Sequence, residues 1–293
     1  MKMVLGENMY NFLFNIYDFF IILIIPISLL FEGVRRKLIA RMQNRIGPSV
    51  LQPFYDAIKL FQKTEPNTNK KNIISAVTFL YLLTNFSLFL FLPFSVLSFY
   101  FDVVLFVCIF ILSIILYIIS GLISNPFYRR FGFNRDLDIM LFSGIIFTIV
   151  FFTFITFTTQ STFYSENSNT LFRLPIASFC LFVIALLETK KTPFVITEER
   201  TEIITDATRT LNGRSLAFME ISKSLRMTFF VFLITSFFFG SYNLLTFSIT
   251  SLLIFFVFIF IQVVTSCYRF DQIRNFLIIV LSLSVVELIG IIL

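Results

Sequence analysis

Apolar residues in this chain fall into long blocks at about 12–31, 73–101, 102–124, 137–160, 171–187, 217–240, 243–267 and 276–293. A helix crossing a bilayer needs roughly 20 mostly apolar residues, so the pattern predicts eight crossings. Phe, Ile and Leu dominate the blocks and none alternates strictly, which favours helices over barrel strands. The break between the second and third blocks rests on Pro93, Ser98 and Asp102 alone. The first block is too long for a signal peptide and no small-residue cleavage site follows it, so it reads as a retained span. The expectation is an all-α polytopic protein, about eight transmembrane helices forming a single integral membrane domain over 1–293.

Polar segments between the blocks carry the candidate chemistry. In residues 51–63, Leu51, Phe54, Ile58 and Phe61 recur at spacings of three and four, with Gln52, Asp56, Lys59 and Lys63 opposite. That spacing predicts an amphipathic helix in the membrane interface. It serves either as an anchor with snorkelling lysines or as the lip of a lipid-accessible pocket. Between the fifth and sixth blocks stand Glu188, Glu198, Glu199, Glu202, Asp206 and Glu220. If that stretch is helical, Glu198, Glu202 and Asp206 share a face, with Glu199 on another. Close carboxylates that are partly buried can hold protons near neutrality, as a relay requires; a solvated loop is the alternative. Glu220 enters the bilayer with Lys223 one turn on, where ionisable groups take a functional or paired role. Glu287 sits near the far end of the last block.

Composition changes the picture by exclusion. With 57% hydrophobic and 14% charged residues, the chain is neither a soluble domain nor a disordered one. It has no His and only three Cys, so common metal and haem ligand sets and Ser-His triads are absent. The net charge of +6 does not point to nucleic acid, because 21 of the 23 Lys and Arg residues lie in the four odd-numbered connections when the third is counted as 188–226, up to and including Arg226 in the first turns of the sixth span. By the positive-inside rule those connections face the cytoplasm or matrix, and both termini face away.

Five segments, in order, carry a resemblance: R-R-K-L-I-A-R-M-Q-N-R-I-G-P-S, L-Q-P-F-Y-D-A-I-K-L-F-Q-K, E-T-K-K-T-P-F, E-E-R-T-E-I and Y-R-F-D-Q. Together they resemble the subunit 1 family of respiratory complex I, the NADH–ubiquinone oxidoreductases, over nearly the whole chain. The resemblance implies a membrane subunit that forms much of a ubiquinone chamber and starts a proton-coupling path. By motif match, Arg36, Arg45 and Asp56 would line or orient the chamber. Glu188, Glu198, Glu202 and Glu220 would form the acidic path, with Arg135, Lys191 and Arg269 as supporting basic residues. The chain itself would bind no cofactor and hold no complete active site. The iron–sulfur cluster, FMN and NADH would belong to hydrophilic partner subunits at the matrix face, and antiporter-like membrane subunits would continue the path.

The sequence also departs from the family. Its E-R-K reads Arg35-Arg36-Lys37 here, with Glu32 one turn earlier; six residues after Gly47-Pro48 are missing; Val195 and Arg200 stand where acids are usual; and a Tyr-Glu pair in the fourth span reads Ser143-Gly144. The 44 Phe residues with no Trp suggest an AT-rich organellar genome, and so a mitochondrial inner membrane with termini in the intermembrane space. A bacterial plasma membrane is the alternative location. The rival function is a secondary ion transporter or channel, which would show internal repeats and broken helices at the midplane.

Overall fold

A computed structural model describes residues 7–64, 71–92, 102–123, 129–158, 174–194, 211–239 and 244–292. Nine α-helices occupy them: α1 Glu7–Met42, α2 Gln52–Gln62, α3 Lys71–Ser87, α4 Asp102–Ile123, α5 Arg129–Thr158, α6 Pro175–Glu188, α7 Gly213–Phe239, α8 Leu244–Val264 and α9 Phe270–Ile292. No strand occurs among the described residues. A helix lies in each of the eight apolar blocks, and α2 is the amphipathic element expected between the first two. In the second block α3 tightens into a 3-10 turn at Leu88–Phe91, and the rest of that block, 93–101, lies outside the described residues. Among the described residues, five segments are long and apolar enough to cross a membrane: Lys71–Phe91, Val104–Ile123, Asp136–Phe154, Leu245–Val264 and Phe270–Ile291. The protein is an all-α, multi-pass membrane protein.

α7 is the hub, packing against α1, α2, α3, α6 and α8, while α5, α6 and α9 form a second group that α4 joins to α3. Helices in lipid gain little from hydrophobic burial and associate through close packing and small residues. Where α1 meets α7, Ser28 and Ser224 bring their hydroxyls to 3.3 Å. Between α4, α5 and α7 the core is aromatic: Phe106, Phe110, Phe147, Phe151, Phe229 and Phe230 are fully buried, and Phe110 stacks on Phe147 with centroids 3.8 Å apart. The abundance of Phe thus supplies the packing as well as the apolarity. Many apolar side chains of α8 and α9, among them Leu253, Phe260, Ile279 and Val286, stay exposed toward the surrounding lipid.

Two local features place the candidate site. α1 runs on past its apolar block and ends with Asn44 in the left-handed region (φ 57), a conformation Asn tolerates, and the Arg45 amide bonds back to the Ala40 carbonyl at 2.8 Å. The returning chain crosses α1 at Gly33, where an added Cβ would lie 1.9 Å from the Val50 carbonyl oxygen. Only glycine permits this approach, and it lays α2 alongside α1 and α7. At the other end of the site, the segment after α6 is tied to the last two helices. Thr192 donates to the Gln262 carbonyl at 2.8 Å, the Tyr268 amide donates to the Pro193 carbonyl at 3.0 Å, and Phe194 stacks on Phe276.

Candidate functional site

A cavity of about 360 Å³ opens between α1, α2, α7 and the segment following α6, a size typical of small-molecule sites. Its apolar wall is Leu29, Pro53, Ala57, Leu60 and Ile221, and its polar wall is Glu32, Arg36, Asp56, Lys59, Lys191, Glu220, Lys223 and Ser224. α2 divides its faces accordingly. Leu51, Ile58 and Phe61 are exposed, whereas Pro53, Asp56, Ala57 and Leu60 turn to the cavity. Phe61 also rests edge-on against Phe218 of α7, with centroids 5.5 Å apart.

Glu32 is the centre of the polar wall. Its carboxylate accepts two bonds from Arg35, one from Arg36 at 3.2 Å and an ion pair from Lys191 at 3.5 Å. Arg36 reaches across to Asp56 at 3.1 Å, and the Gln52 amide holds the other Asp56 oxygen at 2.9 Å. One residue beyond the first apolar block, Glu32 loses solvation on burial, which raises its pKa; Lys191, Arg35 and Arg36 outweigh that and hold it well below the usual carboxylate range. Burial pushes the Lys191 ammonium down to about 8, against Glu32, which favours the charged form. Arg36, half-buried, is pulled the opposite way from its desolvation by Glu32 and Asp56 and stays charged.

Lys190 and Lys191 leave the end of α6 in different directions because Lys190 adopts φ 50, a left-handed conformation more usual for glycine. Lys191 enters the cavity wall. Lys190 turns inward, pairs with Asp136 at 3.3 Å and lies 3.3 Å over the Tyr117 ring, while the Tyr117 hydroxyl donates to Asp136 at 3.3 Å. Behind this group lies a second ion pair, between Arg226 and Glu188 at 2.9 Å, with both side chains almost completely buried. Ser143 donates to the other Glu188 oxygen, and Arg226 donates to the Tyr81 hydroxyl at 3.2 Å. A lone arginine at membrane depth costs about 3 kcal/mol on insertion scales, so its pairing is physically required.

The structure brings Arg36, Asp56, Lys191 and Glu220 to one cavity, with Glu220 paired to Lys223 at 3.2 Å. It places Glu188 elsewhere, in the interior. Arg45 is exposed beyond the end of α1, and Arg269 is largely exposed and paired with Asp271 at 3.2 Å; neither lines the cavity. Glu198, Glu199, Glu202 and Asp206, with Val195 and Arg200, lie outside the described residues, as does the side chain of Arg135. Arg226, counted from sequence among the loop cations, is instead in the middle of α7. Glu32, Lys190 and Asp136 were missed as site residues; the one usable signal was the spacing of Glu32 to Arg35 and Arg36, which suits pairing on a helix. Glu287 accepts the Ile176 amide at 3.2 Å, serving α6 as a cap at an end where Leu174 provides no side-chain bond. Among the described residues no group of three Cys, Asp or Glu side chains converges as a metal site would need.

Comparison with known proteins agrees with this architecture. The family described as NADH dehydrogenase matches residues 15–292. NADH-ubiquinone oxidoreductase chain 1 of Aedes aegypti is 26% identical over 267 residues, covering 82% of each chain. That of Mycosarcoma maydis is 25% identical and covers 92% of each. Among solved structures, a chain of the membrane-bound sulfane sulfur reductase, an archaeal respiratory membrane complex, shares the fold with a TM-score of 0.80 at 20% identity, covering 95% of this chain and 99% of that one. The chain belongs to the NADH dehydrogenase family, whose members include chain 1 of NADH–ubiquinone oxidoreductase, and is a membrane subunit of a respiratory oxidoreductase complex.

Proposed function

We propose that this chain walls the ubiquinone-binding chamber of a proton-translocating NADH–ubiquinone reductase in the mitochondrial inner membrane, and begins its proton-coupling path. The observation that carries the reading is the cavity under α2, apolar on one side and densely ionised on the other. A quinone has a polar headgroup on an apolar tail, and such a cavity suits both. The tail would enter along the lipid-facing surface of α2, while Arg36 and Asp56 orient the headgroup. Lys191 gives up its proton nearer neutrality than an exposed lysine does, which fits it to supply a proton as the reduced headgroup gains charge. Glu220 and Glu188 continue inward as acidic positions of the path, joined by Glu198 and Glu202 in the adjoining segment.

The electrons come from an iron–sulfur cluster in a hydrophilic partner subunit at the matrix face, with FMN and NADH bound farther along in such partners. Antiporter-like membrane subunits receive the coupling signal. A transporter or channel would set its ionisable groups between broken midplane helices. Here Glu32 and Arg36 lie in the part of α1 beyond its apolar block, Lys191 follows the end of α6, and α7 is continuous from Gly213 to Phe239.

Asp56→Asn tests the reading. It keeps the acceptor for Gln52 and removes the charge opposite Arg36, so quinone-reductase turnover should fall about tenfold in a normally assembled complex. Normal assembly with unchanged turnover would remove Asp56 from the site.

A further inference from the structure

The ion pair in the middle of the bundle is unusual in how it is satisfied. Arg226 and Glu188 stand 2.9 Å apart, yet Glu188 Oε2 and the Nε and Nη2 atoms of Arg226 are buried without a well-aligned hydrogen bond. A pair present only to hold helices together is expected to have its donors and acceptors filled, and replacing buried ion pairs with apolar residues is often neutral or stabilising. This one draws on five helices. Glu188 comes from α6, Arg226 from α7, Ser143 from α5 and Tyr81 from α3, and Phe110 of α4 lies 5.1 Å from the Arg226 guanidinium.

The second observation is the register of α7. Glu220, Lys223 and Arg226 follow at intervals of three, so they form a stripe that winds about a third of the way round the helix over roughly 9 Å. The lowest rung, Glu220, lines the cavity and pairs with Lys223; the highest holds Glu188. Lys190 and Asp136 approach the same interior from the loop end of α5 and α6, with Tyr117 between them. Polar groups therefore run without a break in sequence register from the cavity to a buried carboxylate.

We propose that Arg226 is a positioning residue in the coupling path: a fixed cation on α7 that holds the Glu188 carboxylate at the helix junction and links its charge to the cavity through the Glu220–Lys223 pair below. A guanidinium suits the task because it does not surrender its proton and presents several donors in a rigid plane. A change of charge at Glu220 or Lys223 alters the field at Arg226, and Glu188, with Ser143 on one oxygen and Arg226 on the other, shifts between them. The coupling signal thus passes as displaced charge and needs no proton on the arginine.

This proposal rests on the quinone-chamber reading, and the test separates the two. The intact complex is reconstituted in vesicles as the unsubstituted form, Arg226→Gln, Arg226→Lys and the double variant Glu188→Gln/Arg226→Gln, and the protons moved per electron are measured with ubiquinone as acceptor. Quinone-driven proton movement is expected in the unsubstituted complex; its absence there sinks the parent reading. With it present, Arg226→Gln should lose most of the proton-to-electron ratio, Arg226→Lys should restore most of it, and the double variant should assemble but stay uncoupled. Full coupling in Arg226→Gln or in the double variant overturns only the present proposal, as does loss of assembly in the double variant, since the pair would then be a structural tie.

Discussion

Lys191 is the residue whose behaviour follows most directly from its surroundings. Burial lowers its ammonium from 10.5 to about 8, with Glu32 working in the other direction. The folded protein therefore releases this proton before the unfolded chain does. The cost of burying the charge is fully present below about 8 and disappears as the pH rises toward 10.5. In activity the sign is reversed, because the cavity needs the cation. Turnover should fall as the pH rises through about 8, where the protonated donor is lost, and Lys191→Arg, which keeps the charge but does not surrender its proton, should turn over slowly and without that limb. A pH–rate profile on both forms checks this; the same limb in Lys191→Arg would assign it to another group. Lys191 was placed in the site by sequence resemblance, but its partner was not. Glu32 became visible only once the α6 end and α1 were brought together, a contact between residues 159 positions apart that no local spacing encodes.

At the scale of elements, α2 was legible because its apolar and polar residues repeat with the helix period, and the structure keeps that division. Sequence did not reveal what fixes its position. Gly33 provides that, by letting the backbone at Val50 lie against α1. Gly33→Ala puts a methyl group into that contact, and overpacking of this kind costs about 1–3 kcal/mol. The expected result is a complex with a lower unfolding temperature and weakened quinone-site inhibitor binding; unchanged inhibitor affinity would show that the position of α2 does not govern the cavity. The central helix α7 was less legible. Its apolar half was plain, but Glu220, Lys223 and Arg226 blurred its start, which sequence puts near 217 and the structure at Gly213. Those charges are tolerated inside the helix because Glu220 and Lys223 pair beside the cavity while Glu188 of α6 and Tyr81 of α3 receive Arg226, an arrangement set by packing rather than by periodicity.

For the whole molecule, the distribution of Lys and Arg predicts that both termini face away from the segment joining α1 to α2. A reporter fused to either end should be reached only from the side opposite a reporter in that segment, and finding one terminus on the same side would break the even count of crossings. The overall fold could be read from the apolar blocks because in a membrane each span must satisfy its own backbone. The interior pairs could not, since they depend on which faces of α5, α6 and α7 meet. The central claim is that the cavity between α1, α2 and α7 receives the quinone headgroup. The most direct measurement is photolabelling of the intact complex with a ubiquinone bearing a photoreactive headgroup, followed by mapping of the labelled peptides. Label on the segments containing Leu29 to Leu60 and Glu220 to Ser224, lost on competition with unlabelled ubiquinone, is the predicted result. Competable label confined to α8 and α9, or absent from this chain, would contradict it.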